Sequence, residues 1–94
     1  MYIELEGEIK SLCPINGRID IYTLILSYIP NKKLVEIYSF KDYLKQFEKK
    51  PYFHEDIVNK LQKDFEKEIQ PRQITIVLTE DSPGIKMTVK CGVK

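Results

Sequence analysis

The sequence contains no tryptophan and no alanine, and among its 94 residues there are only one histidine and two cysteines. The cysteines, Cys13 and Cys91, do not form a Cys-x-x-Cys pair, and a single histidine adds too few ligands for a zinc site within one chain. We therefore expect no metal. A disulfide between Cys13 and Cys91 stays open, although disulfides are uncommon in the reducing cytosol.

An excess of charge of one sign is also missing, because 15 basic and 14 acidic residues leave a formal net charge of +1. Composition alone therefore does not indicate a nucleic-acid-binding protein. The longest apolar run, over residues 22–28, is far short of the roughly 20 residues of a membrane helix. The start of the chain is neither basic nor continuously apolar, so it does not predict a signal peptide. We expect one cytoplasmic domain over residues 1–94 without a membrane partner.

Two patterns predict strands in the first third of the chain. From Tyr2 to Lys10 apolar and charged residues alternate, which is typical of a strand with one exposed face. The segment from Asp20 to Ile29 is rich in β-branched and aromatic residues on both faces, as in a covered strand. Proline, asparagine and glycine between the two segments predict a loop. After the second strand we expect a short extended piece over residues 33–37.

The apolar period then becomes helical. One stripe predicts an amphipathic helix after Ser39, which forms a capping box with Asp42; its members are Phe40, Tyr43, Leu44 and Phe47. A second helix is predicted to begin near His54 and to stop before Pro71. Alternation over 74–79 and 85–91, around a turn at 81–84, predicts two further strands. The order β-β-(β)-α-α-β-β predicts an α+β fold, an antiparallel sheet with two helices on one face.

Cys13 stands in the polar loop rather than in an apolar stripe, which makes it a candidate nucleophile. A free thiol is mostly protonated at neutral pH, so this role requires an activating neighbour. Considered alone, a single loop cysteine is more often a spare small residue than a nucleophile. Cys91 lies on the apolar side of the last predicted strand, a position that favours a buried, inert thiol.

The only histidine, His54, stands beside Phe53 at the start of the second predicted helix. Helix N-termini favour acidic residues, and this preference explains Glu55 and Asp56 without any functional role. The preference does not explain a histidine, since its charged form is disfavoured there. A neutral imidazole can donate a hydrogen bond or accept a proton, which makes His54 a candidate for chemistry.

Residues 13–20, Cys-Pro-Ile-Asn-Gly-Arg-Ile-Asp, resemble the C-P-x-(T/N)-G-x-x-D motif of the 7-cyano-7-deazaguanine nitrile reductase family. The resemblance continues in the same order and spacing over residues 11–72, through Tyr28–Lys32, Val35–Glu36, Ser39, Lys41, Tyr43–Leu44 and Phe53–Asp56. Several independent motifs in one order are a specific signal, and they outweigh the interpretation of Cys13 as a spare residue.

The resemblance implies a tunnelling fold, in which ring-forming subunits build active sites at their interfaces. It implies that Cys13 attacks the nitrile carbon and forms a covalent thioimide, that Asp20 handles the protons and that His54 assists. This is covalent catalysis, in which a thiolate adds to the nitrile while a nearby acid protonates the nitrogen.

The resemblance also implies three substrate-binding residues. Phe53 would pack against the face of the base, Glu55 would anchor its guanine-like edge, and Glu36 would be another glutamate of the pocket. A carboxylate suits this edge because it accepts hydrogen bonds from a neighbouring N–H and NH₂.

The sequence departs from the nitrile reductases where their cofactor binds. Tyr38 replaces a lysine expected near the cofactor phosphate, and Ser82–Ile85 lacks the arginine of their P-R-G-G turn. The lost cations weaken the case for NADPH, whereas the thioimide residues are intact. Both facts fit the archaeal QueF-like amidinotransferases, which add ammonia to the thioimide and make archaeosine in tRNA.

We therefore expect an amidinotransferase without a cofactor, with ammonia as co-substrate and tRNA carrying 7-cyano-7-deazaguanine as partner. An NADPH-dependent nitrile reductase and a non-catalytic module that binds a purine or tRNA are the alternatives. The free sheet edges and the family's inter-subunit pockets imply a ring of five subunits, or two such rings together. Because Cys13 and His54 are distant in sequence, we expect the Cys13 loop of one subunit to meet the next subunit's helix start.

Overall fold

The computed structural model of the chain describes residues 1–82 and 84–93. Along these residues the strands and helices follow the order β1 (Ile3–Leu12), β2 (Ile19–Ile29), α1 (Ile37–Leu44), α2 (His54–Ile69), β3 (Gln73–Ser82) and β4 (Ile85–Val93). A short 3₁₀ helix, Lys45–Glu48, continues α1. The predicted α+β architecture is confirmed. The turn predicted at 81–84 includes Pro83, which lies outside the described residues.

The four strands form one antiparallel sheet in the order β1-β2-β3-β4, so each strand pairs with its neighbour in sequence. The register aligns Glu6 with Ile25, Ile25 with Val77, and Val77 with Lys90. The strands β1 and β4 are therefore the two edges of the sheet. Each edge leaves a row of backbone N–H and C=O groups that no strand of the described chain pairs.

The core lies between one face of the sheet and the two helices, as predicted. Inward positions alternate along the strands because successive side chains point to opposite faces. The sheet side of the core consists of Ile9, Tyr22, Leu24, Leu26, Tyr28, Ile74, Ile76 and Leu78. The helix side consists of Phe40, Leu44, Phe47, Ile57, Val58, Leu61, Phe65 and Ile69. No helix of the described residues is long and apolar enough to cross a membrane.

The segment before α1 differs from the prediction. Residues 33–36 form no strand, because the Val35 N–H donates to the Tyr28 hydroxyl at 3.0 Å instead of to a neighbouring strand. Glu36, rather than Ser39, is the N-cap: its carboxylate accepts from the Tyr38 N–H at 2.7 Å and the Ser39 N–H at 3.0 Å. The Ser39–Asp42 capping box is therefore wrong, since Ser39 lies inside the first turn.

Candidate active site

A short loop holds Cys13 at the end of β1. The Cys13 N–H donates to the Arg18 carbonyl at 2.7 Å, and the Gly17 N–H donates back to the Cys13 carbonyl at 2.9 Å. Gly17 has a φ of 71°, a left-handed conformation that glycine adopts without strain. The side chain of Asn16 accepts from the Arg18 N–H at 2.9 Å. The predicted turn chemistry thus places a half-buried thiol at one end of the sheet.

The segment before α2 runs beside the same end of β1. Leu12 forms an isolated parallel bridge with Pro51, and the Tyr52 N–H donates to the Leu12 carbonyl at 3.2 Å. Two residues later His54 begins α2. One chain therefore brings the Cys13 loop and the helix start together. Residues 50–52 cross back to β1 after the 3₁₀ helix, so the two segments approach each other already within one chain. The expected meeting of the Cys13 loop with the helix start of the next subunit stays a prediction.

A buried tyrosine lies between these groups. Tyr22 is 1% exposed, and its hydroxyl donates a long hydrogen bond of 3.4 Å to the Asp20 carboxylate. Its ring stands perpendicular to the His54 ring, with centroids 5.3 Å apart. Burial is the main reason why the pKa of Tyr22 is raised. The negative charges of Asp20 and Glu80 raise this pKa further, and Cys13 has a smaller effect in the same direction. Tyr22 therefore stays protonated as a hydrogen-bond donor.

A second carboxylate, Glu80, faces the histidine. His54 Nε2 and Glu80 Oε1 are 3.3 Å apart, and the two side chains are only 25% and 19% exposed. Neither Glu80 nor Tyr22 was among the predicted site residues. Glu80 continues the inward row of β3 formed by Ile74, Ile76 and Leu78, so a charged residue at an inward position was the available signal.

These five residues, which we call the Cys13 cluster, occupy one end of the sheet on its helix-covered face: Cys13, Asp20, Tyr22, His54 and Glu80. They combine a thiol, two carboxylates, a permanent hydroxyl donor and the only imidazole of the chain. Such a set contains a nucleophile and groups that can donate or accept protons, which are the parts that covalent catalysis requires.

The predicted base-binding residues next to the cluster are exposed. Phe53, 49% exposed, is the residue preceding α2, and Glu55 lies on the exposed first turn. Both flank His54 in sequence and leave their side chains accessible to a molecule that approaches this end of the sheet. Their roles in binding stay predictions.

Glu36 lies at the other end of the molecule. Its neighbour Val35 is bonded to Tyr28, and Tyr28 and Asp20 are eight positions apart on β2, about 25 Å at the rise of a strand. Hydrogen bonds from the first turn of α1 lower the pKa of the Glu36 carboxyl. Glu36 also lines a groove of about 540 Å³ with Tyr43 and Phe65. One chain therefore does not bring Glu36 to the Cys13 cluster.

Both cysteines are free thiols. Cys91 pairs with Ile76, which pairs with Leu26, far along the sheet from the Cys13 loop, so the chain does not form the disulfide left open by the sequence. Burial raises the pKa of the Cys91 thiol. Within residues 1–82 and 84–93 no group of three or more His, Cys, Asp or Glu side chains is arranged to hold a metal ion.

Comparisons with known proteins agree on one family. A family model described as QueF-like protein matches residues 20–91, a segment that begins just after the Cys13 loop. A protein of Porphyromonas gingivalis named NADPH-dependent 7-cyano-7-deazaguanine reductase is 46% identical over 69 residues, 73% of this chain and 45% of that protein. A protein of the same name from Rhodopirellula baltica is 36% identical over 69 residues, 57% of its length.

The chain thus spans about half the length of the curated relatives it matches. A solved structure described as the archaeosine synthase QueF-Like in the apo form superposes with a TM-score of 0.91, covering 97% of this chain and 91% of that one. At 20% sequence identity this likeness concerns the fold, and it confirms the predicted architecture over nearly the whole length of both chains.

Proposed function

Since the chain belongs to the QueF-like protein family, we propose that it is an amidinotransferase that converts 7-cyano-7-deazaguanine in tRNA to archaeosine with ammonia. The observation that carries the proposal is the Cys13 cluster, in which a half-buried loop thiol shares one end of the sheet with Asp20 and His54. Because tRNA is the proposed substrate, we also propose that the protein acts in the cytoplasm.

In the proposed reaction the Cys13 sulfur adds to the nitrile carbon, and the nitrile nitrogen takes a proton from Asp20 or His54. Ammonia then adds to the carbon of the resulting thioimide and gives one of its protons to the residue that had protonated the nitrile nitrogen. The carbon–sulfur bond breaks, the thiolate returns to Cys13, and the amidine remains on the base. The amidine contains the atoms of the nitrile plus those of one ammonia, so the reaction needs neither an oxidant nor a hydride donor. We therefore propose that the enzyme uses no cofactor.

Phe53 and Glu55 would hold the base in this scheme. Both are exposed and both flank His54, so a base docking from solvent reaches them and the cluster together. Glu36 caps α1 far from the cluster, so we propose that any Glu36 in a pocket with Cys13 belongs to a neighbouring copy.

A second function is favoured by a different observation. The curated relatives, up to 46% identical, are named as NADPH-dependent reductases of the same nitrile. Two observations support the amidinotransferase instead: Tyr38 stands where the reductase motif has a lysine, and the archaeosine synthase structure matches this chain over nearly its full length. Reduction of the nitrile to an amine would consume two hydrides, and thus two NADPH.

One experiment separates the candidates. The chain is incubated with nitrile-bearing tRNA and ammonium chloride, or with the free nitrile base and NADPH, and the products are identified by mass spectrometry. The amidinotransferase yields the amidine in the first reaction and leaves NADPH unoxidised in the second. A reductase consumes NADPH, and a non-catalytic module changes neither substrate and forms no covalent adduct on Cys13.

We also propose that copies of the chain assemble into a ring of five, or two such rings, by pairing β1 of one copy with β4 of the next. The exposed face of β1 carries Glu4, Glu6 and Glu8 with Lys10 after them, a net negative charge, whereas that of β4 carries Lys86 and Lys90. Pairing β1 with β4 brings opposite charges together, whereas pairing β1 with β1, or β4 with β4, would bring like charges together. A contact between unlike surfaces propagates in one direction and forms a ring when the rotation between successive copies closes.

A further inference from the structure

Glu80 occupies a position at which a sheet normally buries an apolar residue. It continues the inward row of Ile74, Ile76 and Leu78, and its side chain is 19% exposed. Burying a carboxylate is unfavourable unless a partner compensates it. Among residues 1–82 and 84–93, neither a lysine nor an arginine forms an ion pair with Glu80, and its polar side-chain partner there is His54 Nε2 at 3.3 Å.

The chemistry of this contact decides which ring nitrogen carries the hydrogen. An ionised carboxylate only accepts hydrogen bonds, so Nε2 must donate to Glu80 Oε1. The neutral imidazole then has its hydrogen on Nε2 and its lone pair on Nδ1. When the ring is protonated, Nε2 keeps its hydrogen, and the added proton resides on Nδ1. Proton exchange at His54 is therefore confined to Nδ1.

The Tyr22 ring holds the imidazole from a second side. The two ring planes are perpendicular with centroids 5.3 Å apart, an edge-to-face contact, and Tyr22 is 1% exposed. The hydrogen bond from the Tyr22 hydroxyl to Asp20 fixes that ring in turn. Rotation of the His54 ring would break the bond to Glu80 and disturb this contact.

We propose that Glu80 is a positioning residue that holds His54 with its hydrogen on Nε2, so that Nδ1 is the atom that exchanges protons during the reaction. The kinetic part of this inference rests on the proposed function. The fixed tautomer does not, because it follows from the contacts of His54 alone. Carboxylates orient functional imidazoles in the same way in unrelated sites.

The first test uses the fact that the chain has a single histidine. In a ¹⁵N-labelled sample at a pH at which the ring is neutral, His54 should show two widely separated ring nitrogen signals, with Nε2 fully protonated. Glu80→Leu removes the acceptor and should bring the two signals closer, because the tautomers then interconvert. Glu80→Gln keeps an acceptor oxygen and should preserve the separation. Asp81→Leu, an exposed neighbour on the opposite face, is the matched control.

The second test measures the rate of Cys13 adduct formation with the nitrile base. Glu80→Leu should lower it by about 10- to 100-fold, the loss found when the hydrogen-bond partner of a metal-bound imidazole is removed, while Glu80→Gln recovers most of the rate. An unchanged ¹⁵N separation in Glu80→Leu would overturn the inference, as would equal rates in a folded variant. Failure of the native protein to form an adduct with both the nitrile base and nitrile-bearing tRNA would overturn the proposed function, and the ¹⁵N result would still decide on Glu80.

Discussion

At the scale of single residues, the two cysteines are both free and half-buried, but they differ in their surroundings. Cys13 lies in a loop at the end of the sheet that also holds Asp20 and His54, whereas Cys91 lies near the end of β4, where burial raises its pKa and disfavours the thiolate. We expect Cys13→Ser to abolish the covalent adduct with the nitrile base and Cys91→Ser to leave its yield nearly unchanged. Intact-protein mass spectrometry measures both, and equal loss in the two variants would contradict a single nucleophile.

Asp20 is the carboxylate whose position in the cluster is fixed by the Tyr22 hydroxyl. We expect Asp20→Asn to fold normally and to slow adduct formation by roughly 10²- to 10⁴-fold, the range for a positioned acid or base. Stopped-flow or quench-flow measurement of the adduct gives the rate, and circular dichroism checks the fold. The exposed Asp42→Asn serves as control. A near-native rate in Asp20→Asn would remove this carboxylate from the mechanism.

At the scale of secondary-structure elements, those elements that depend on patterns local in sequence were predicted correctly. Strand alternation and the helical stripe depend on neighbouring residues, so β1, β2, α2, β3 and β4 followed from the sequence. The start of α1 did not, because the bond from the Val35 N–H to Tyr28 is a contact between distant elements. The approach of the Cys13 loop and the start of α2 within one chain was not predicted for the same reason, since it depends on how residues 50–52 return to β1.

The capping of α1 by the Glu36 carboxylate predicts that the stability of the fold depends on pH. Hydrogen bonds from Tyr38 and Ser39 lower the pKa of Glu36 in the folded chain, so its ionised form stabilises the fold above the unfolded pKa. That stability is lost as the pH falls through the folded pKa. We expect Glu36→Gln to unfold more easily than the native chain at pH 7 and the difference to shrink in acid.

Urea denaturation at several pH values measures this difference. The matched control is Glu48→Gln, an exposed glutamate that follows the same helix and forms no side-chain hydrogen bond among the described residues. A gap between Glu36→Gln and the native chain that does not depend on pH would show that the charge of Glu36 is not what caps α1.

At the scale of the whole molecule, the two edges of the sheet differ in charge. Replacing Glu4, Glu6 and Glu8 by lysine gives both edges the same sign, and we expect association to weaken. Replacing Lys86 and Lys90 by glutamate should weaken it as well. Combining all five changes exchanges the two edges and should restore association, because unlike charges meet again.

Sedimentation velocity at low and high salt measures this association, and Asp42→Lys, an exposed charge reversal on α1 outside both edge strands, is the control. Raising the salt should weaken native assembly, since exposed charges are screened. A native chain that sediments as an active monomer would contradict the ring. A five-residue variant that associates no more strongly than the three-residue and two-residue variants would contradict pairing of β1 with β4.

In the proposed reaction the nitrogen of ammonia enters the product through a thioimide on Cys13. To test this, the chain is incubated with nitrile-bearing tRNA and ¹⁵N-ammonium chloride. The tRNA is then digested, and the mass of the modified nucleoside is determined by mass spectrometry. We predict a nucleoside heavier by one ammonia, with one ¹⁵N atom, in the absence of NADPH, and none with Cys13→Ser. An unchanged nitrile, or a reduced amine formed only with NADPH, would contradict the proposed addition of ammonia through Cys13.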